Sequence, residues 1–253
     1  MTFSIALAGK GGVGKTTIAG LLIKYLVAKG KTPILAVDAD SNANLNEVLG
    51  LEVKDTLGQA REDMKKGKVP PGMTKDIFMS MRMEEAVAEE EGFDLVVMGT
   101  PEGAGCYCAA NTLLAGFLEK LVNNYAYVVM DNEAGMEHIS RLTTKNVDLL
   151  LIIADTSRRG LQAGLRINKL ASELNIGVGK SYLIVNQAKT DMLPDEVTAA
   201  ISDDGLELAG IIPQDDAVYE YDLKGKPTIE MAQDSPSVKA AFAIFDRILG
   251  QQA

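Results

Sequence analysis

Residues 9–17 read Gly-Lys-Gly-Gly-Val-Gly-Lys-Thr-Thr, and Gly9, Gly14, Lys15 and Thr16 meet the spacing G-x-x-x-x-G-K-T. Glycines let successive backbone N–H groups turn inward around phosphate oxygens, and a helix beginning near Lys15 aims its positive end at the same point. The loop is therefore expected to cradle a nucleoside triphosphate with Gly9, Gly11, Gly12, Val13, Gly14, Lys15, Thr16 and Thr17. Lys15 would reach the β- and γ-phosphates, and the Thr16 hydroxyl would hold Mg²⁺, a cation that prefers oxygen ligands.

Acidic residues end two apolar runs. Asp38 and Asp40 follow Ile34–Val37, and Asp131 follows Val128-Val129-Met130. Carboxylates at the C-terminal edge of a parallel sheet sit where ligands bind. Asp131 has the setting of a Walker B acid, which holds a water on Mg²⁺.

The cysteines, Cys106 and Cys108, fall in one short Gly-rich stretch. A disulfide between residues i and i+2 is strained, so cross-linking is a poor explanation for the pair. In a symmetric dimer two such pairs supply the four thiolates of a tetrahedral Zn²⁺ or another soft-ligand metal. His138 is a further candidate ligand and a commoner structural residue.

The elements needed to position these groups follow from hydrophobic periodicity. Strands are expected at Phe3–Ala8, Pro33–Val37, Phe93–Met98, Tyr127–Met130, Asp148–Ile153, Ser181–Val185 and Leu208–Ile212. Helices are expected at Lys15–Lys29, Leu113–Asn123, Met136–Lys145, Gly160–Leu174, Asp195–Ser202 and Pro236–Leu249. Unbroken apolar strands alternating with helices predict an α/β fold, a doubly wound and mainly parallel sheet flanked by helices. The chain reads as one phosphate-loop domain over residues 1–253, with the charged, poorly periodic stretch 55–92 as a surface insertion.

Composition narrows the partners. A formal net charge of −10 repels phosphate backbones and anionic lipid, so nucleic acid and membranes are not expected partners. The tail from Ser237 carries only Lys239 and Arg247 as bases, against Asp246, so it is no basic amphipathic anchor. With 47% apolar residues, no leader and no disulfide framework, a cytoplasmic location is expected.

The loop, with its extra lysine Lys10, resembles the deviant Walker A motif of the family containing MinD, ParA and the nitrogenase iron protein. The resemblance implies ATP as the nucleotide. It implies that Lys10 reaches across a homodimer to the partner's nucleotide, like an arginine finger. It also implies that Asp40 places the attacking water, that Asp38 is a Mg²⁺-side group, and that Asn186, Pro213 and Asp215 recognise adenine. Together with Cys106-Tyr107-Cys108 and the stretch Asp131-Asn132-Glu133-Ala134-Gly135-Met136-Glu137-His138, the chain resembles the carbon monoxide dehydrogenase maturation ATPases of the CooC type over nearly its whole length. That likeness implies a homodimeric ATPase that carries Ni²⁺ or Zn²⁺ on its cysteines and serves a nickel enzyme, carbon monoxide dehydrogenase or acetyl-CoA synthase. The rival readings are an iron–sulfur reductase or scaffold, and a positioning ATPase like MinD or ParA.

Overall fold

Apolar runs without polar alternation form stable strands only when both faces are covered. The computed structural model shows them so covered. It describes residues 2–40, 42, 44–99, 116, 119–133, 147–173, 177–190 and 192–250. Cys106, Cys108 and His138 lie outside the described residues, as do the expected helix Met136–Lys145 and residues 113–115, 117 and 118 of Leu113–Asn123.

Eight strands make one sheet: β1 (Phe3–Gly9), β2 (Ile34–Ala39), β3 (Val87–Glu90), β4 (Phe93–Val97), β5 (Tyr127–Asn132), β6 (Val147–Asp155), β7 (Val178–Ala188) and β8 (Glu207–Pro213). Their spatial order is β3-β4-β2-β5-β1-β6-β7-β8. All neighbours are parallel except β3, which turns back antiparallel along β4 at the edge.

The described helices are α1 (Lys15–Ala28), α2 (Leu45–Leu49), α3 (Leu57–Lys65), α4 (Lys75–Glu85), α5 (Arg158–Glu173), α6 (Asp195–Asp203), α7 (Asp216–Leu223) and α8 (Pro236–Leu249). Each face of the sheet carries its own apolar layer. One layer joins α1, α2 and α8 to Ile5, Leu7, Ala36, Val129, Leu151 and Ile184. The other joins α3, α4, α5 and α6 to Ala6, Val37, Val96, Met130 and Ile152. The predicted doubly wound sheet is present.

α1 is the central helix. Ile18, Leu22 and Leu26 are buried, and so are Leu21, Ile23 and Tyr25 on other sides. A helix apolar all round has no solvent face to give up, and this one is wedged between the sheet and α8. Tyr25 meets Phe242 edge-on at 5.3 Å and Phe245 at 5.5 Å, while its hydroxyl donates to Asp246 at 2.9 Å.

The stretch 55–92 corrects an expectation. It does not stay on the surface, because it holds α3, α4 and β3, and residues of both helices are buried against the sheet. Leu57, Ala60, Phe78, Met79 and Met83 from this hairpin belong to the second core layer. Thr56 and Thr74 cap the two helices through their hydroxyls, which accept from Gln59 N–H and Ile77 N–H. The charge that hid the periodicity is spent locally: Arg82 bridges Asp55, Asp63 and Glu85.

Candidate functional site

The phosphate loop runs from the end of β1 into α1. A Cβ at Gly9 would strike the Ile153 carbonyl of β6, so only glycine lets the two strand ends approach this closely. Gly12 and Gly14 have φ of 80° and 87°, the left-handed region where a side chain is strained. Gly14 is also the N-cap of α1 and offers no side-chain acceptor, which leaves the first-turn N–H groups facing the cleft.

Two distant amides fasten this loop. Asn186, at the end of β7, donates from Nδ2 to the Val13 carbonyl at 2.9 Å. Gln187 follows with φ of 56° and donates from Nε2 to the Gly12 carbonyl at 3.5 Å. A non-glycine residue in that region is uncommon and concentrates at functional sites. Sequence reasoning missed Gln187; its one signal was adjacency to Asn186.

The acids gather on the α1 side of the sheet edge. Asp38 of β2 is paired in register with Asp131 of β5, so their side chains emerge side by side. Both are fully buried, at 0% and 1% exposure. Burial pushes the Asp38 carboxyl up to about 7, and Asp131 adds to the rise. N–H donation from Leu45 at 2.9 Å and Asp40 at 3.1 Å offsets part of it. Burial likewise raises Asp131 to about 6, against the pull of the Thr16 hydroxyl and the Lys15 ammonium.

Lys15 lies among these acids. Burial lowers its pKa, and Asp131, Asp40 and Glu133 counter the fall. Its Nζ reaches its own loop at the Lys10 carbonyl, 3.4 Å away. Lys10 itself is exposed. Asp40 is half-buried and accepts from Asn42 N–H at 2.9 Å, which shapes the turn leading to α2.

A Mg²⁺ ion fits this donor set. Asp131 Oδ1 is buried without a hydrogen-bond partner, and the Thr16 hydroxyl lies beside the same carboxylate. Oxygen donors and an unmatched buried acceptor are what a hard cation requires. Among the described residues no group of three or more His, Cys, Asp or Glu side chains could hold a metal by itself. The triphosphate would have to complete the coordination.

Two adjoining cavities flank the loop. The phosphate-side cavity, about 1090 Å³, is lined by Lys15, Thr16, Asp40 and residues of α2. The second, about 740 Å³, opens beyond Thr17 between Asn186, Pro213 and Asp215. The three residues expected at the base thus share one cavity. The Asp215 carboxylate, however, is engaged. It caps α7 through Ala217 N–H at 3.0 Å and accepts from Ser237 N–H, Ser237 Oγ and Ser235 Oγ. Burial would raise its pKa, but these donors outweigh it and hold the carboxyl below its usual range.

Residues 4–229 match the family model described as the CobQ/CobB/MinD/ParA nucleotide binding domain. An uncharacterised ATP-binding protein of Methanocaldococcus jannaschii is 42% identical, covering 98% of this chain and 99% of its own length. The carbon monoxide dehydrogenase accessory protein CooC of Rhodospirillum rubrum is 34% identical over 87% of each chain. The chain belongs to the CobQ/CobB/MinD/ParA family.

Within that family the chain is an ATPase. Its fold is shared with MinD from Pyrococcus furiosus, at a TM-score of 0.72, 21% identity and full coverage of both chains. MinD from Aquifex aeolicus aligns with a TM-score of 0.72 at 24% identity over 98% of this chain and 97% of its own. No helix among the described residues is long and apolar enough to cross a membrane.

Proposed function

We propose that this chain is an ATP-driven metallochaperone that binds Ni²⁺ or Zn²⁺ through Cys106 and Cys108 across a homodimer. It assists nickel insertion into carbon monoxide dehydrogenase or acetyl-CoA synthase, in the cytoplasm. One observation carries this reading: the segment bearing both cysteines begins directly beside the nucleotide site. β4 ends with Val97 in register with Asp38, and Met98 N–H donates to the Asp38 carbonyl at 2.9 Å. The 34% identity to a protein named as a carbon monoxide dehydrogenase accessory factor supports the choice of client.

On this proposal the loop N–H groups and the N-terminus of α1 bind the phosphates, and Lys15 leaves the Lys10 carbonyl for the β- and γ-phosphates. Thr16, Asp131 and Asp38 would hold Mg²⁺, which would supply charge neutralisation on the phosphate oxygens. Asp40 orients the attacking water. Lys10, exposed on the loop, enters the partner's site and stabilises the charge that develops on the transferred group. Asn186 and the Pro213–Asp215 turn receive adenine. With its carboxylate already satisfied, Asp215 shapes that turn rather than contacting the base through its side chain. Closure of the dimer brings together the thiolates of both chains, and hydrolysis releases them.

The test is anaerobic Ni²⁺ binding by equilibrium dialysis, with and without ATP, alongside mass in solution. The expected result is about one Ni²⁺ per two chains, with dimer formation. Cys106→Ser should lose the metal and keep ATP hydrolysis. Unchanged Ni²⁺ stoichiometry in that variant would sink the cysteine site. An iron–sulfur absorption band in place of nickel would favour a cluster-carrying protein.

A further inference from the structure

Tyr219 stands apart from the other described tyrosines. Tyr25 and Tyr125 donate to carboxylates, and Tyr127, Tyr182 and Tyr221 each sit under a lysine. The Tyr219 ring has no such partner among the described residues and is 66% exposed, yet it lines the base-side cavity with Thr17, Asn186 and Pro213. A large aromatic surface left to water at the mouth of a cleft has a burial contribution still to be gained.

Its helix is fixed in place. α7 starts at the Asp215 cap, which Ser235 and Ser237 brace from the start of α8. Val218 and Tyr221 pack against the core layer that holds α1. Tyr219 is exposed on a helix that is already anchored, so ordering its ring costs little beyond side-chain rotation.

We infer that Tyr219 positions the nucleotide by covering the base with its ring, as a stacking surface opposite Asn186. This deepens the ATPase assignment and rests on nucleotide occupying the two joined cavities. The contact is to the π face, so the ring matters and the hydroxyl does not. Tyr219 does not line the neighbouring cavity with Lys15 and Thr16, where the phosphates would bind.

The experiment is calorimetric titration of wild type, Tyr219→Phe and Tyr219→Ala with Mg·ADP and, separately, with Mg·tripolyphosphate. Base–aromatic stacking predicts that Tyr219→Ala weakens ADP binding about tenfold, while Tyr219→Phe binds as wild type. Tripolyphosphate has no base, and its affinity should be the same in all three proteins. Equal ADP affinity in wild type and Tyr219→Ala overturns the inference. So does an equal loss for ADP and tripolyphosphate, which would mean that Tyr219 only supports the fold. If Tyr219→Ala binds ADP normally but no longer dimerises with ATP, the ring is a contact between two copies of the chain. Wild-type protein that binds tripolyphosphate but not ADP would end the inference and leave the phosphate loop intact. Wild-type protein that binds neither would remove the nucleotide reading itself.

Discussion

The bond from Asn186 to the phosphate loop can be tested by adding one methyl group. An alanine at Gly14 meets two obstacles. The φ of 87° is left-handed, which costs an L-residue about 1–2 kcal/mol. The new Cβ would also come within 2.5 Å of Asn186 Nδ2. Moving that amide aside breaks its bond to the Val13 carbonyl, worth about 0.5–1.5 kcal/mol net. Gly14→Ala should therefore destabilise the protein by about 2.5 kcal/mol, or about 7 °C in Tm for a chain of this size. In an Asn186→Ala background the obstacle is gone and the bond already lost, so only backbone strain remains. The same substitution should then cost about 1.5 kcal/mol, close to 4 °C. Calorimetric Tm values for wild type, both single variants and the double variant close the cycle. Strictly additive shifts would refute the argument, because they would mean that the amide and the loop do not feel each other.

The Asp215 cap makes a pH-dependent prediction. Its folded pKa is depressed, so its contribution is present above the ordinary aspartate value near ~3.9 and is lost as pH falls through the lower native value. Asp215→Ala should cost about 2 kcal/mol at neutral pH, and the Tm gap to wild type should stay level down to about pH 5 and narrow below about pH 4; a gap constant to pH 3 would contradict the assignment. Phe78, 5% exposed in the second core layer, should cost about 3–5 kcal/mol when cut to alanine, a fall in Tm of about 10 °C. A shift below about 2 °C would return residues 55–92 to the status of a dispensable insertion.

Much of this architecture was legible because central parallel strands declare themselves. Ile5–Ala8, Leu35–Val37 and Leu149–Ile153 are buried on both faces and are written in apolar residues without a break. The phosphate loop was legible for another reason: Gly9, Gly12 and Gly14 each answer a local demand of close approach or backbone angle. The elements that escaped are those stabilised by tertiary partners. α3 and α4 carry too many charges for a clear stripe, and the bridges from Arg82 to Asp63 and Asp55 link residues 19 and more positions apart. α7 has no buried residue and depends on a cap braced from α8. The role of Asn186 in fastening the loop escaped as well, because its bond to Val13 spans 173 positions and no local pattern reports it.

Asp38 divides its duties between side chain and main chain. Its carboxylate accepts from the Leu45 and Asp40 N–H groups, whereas its carbonyl accepts from Met98 N–H. A carbonyl is common to every amino acid. The attachment of Met98 is therefore indifferent to which residue occupies position 38. Such a joint lets descent with modification alter either side of it while the other stays unaltered. Relatives of one fold can then diverge by rewriting one connection at the sheet's edge.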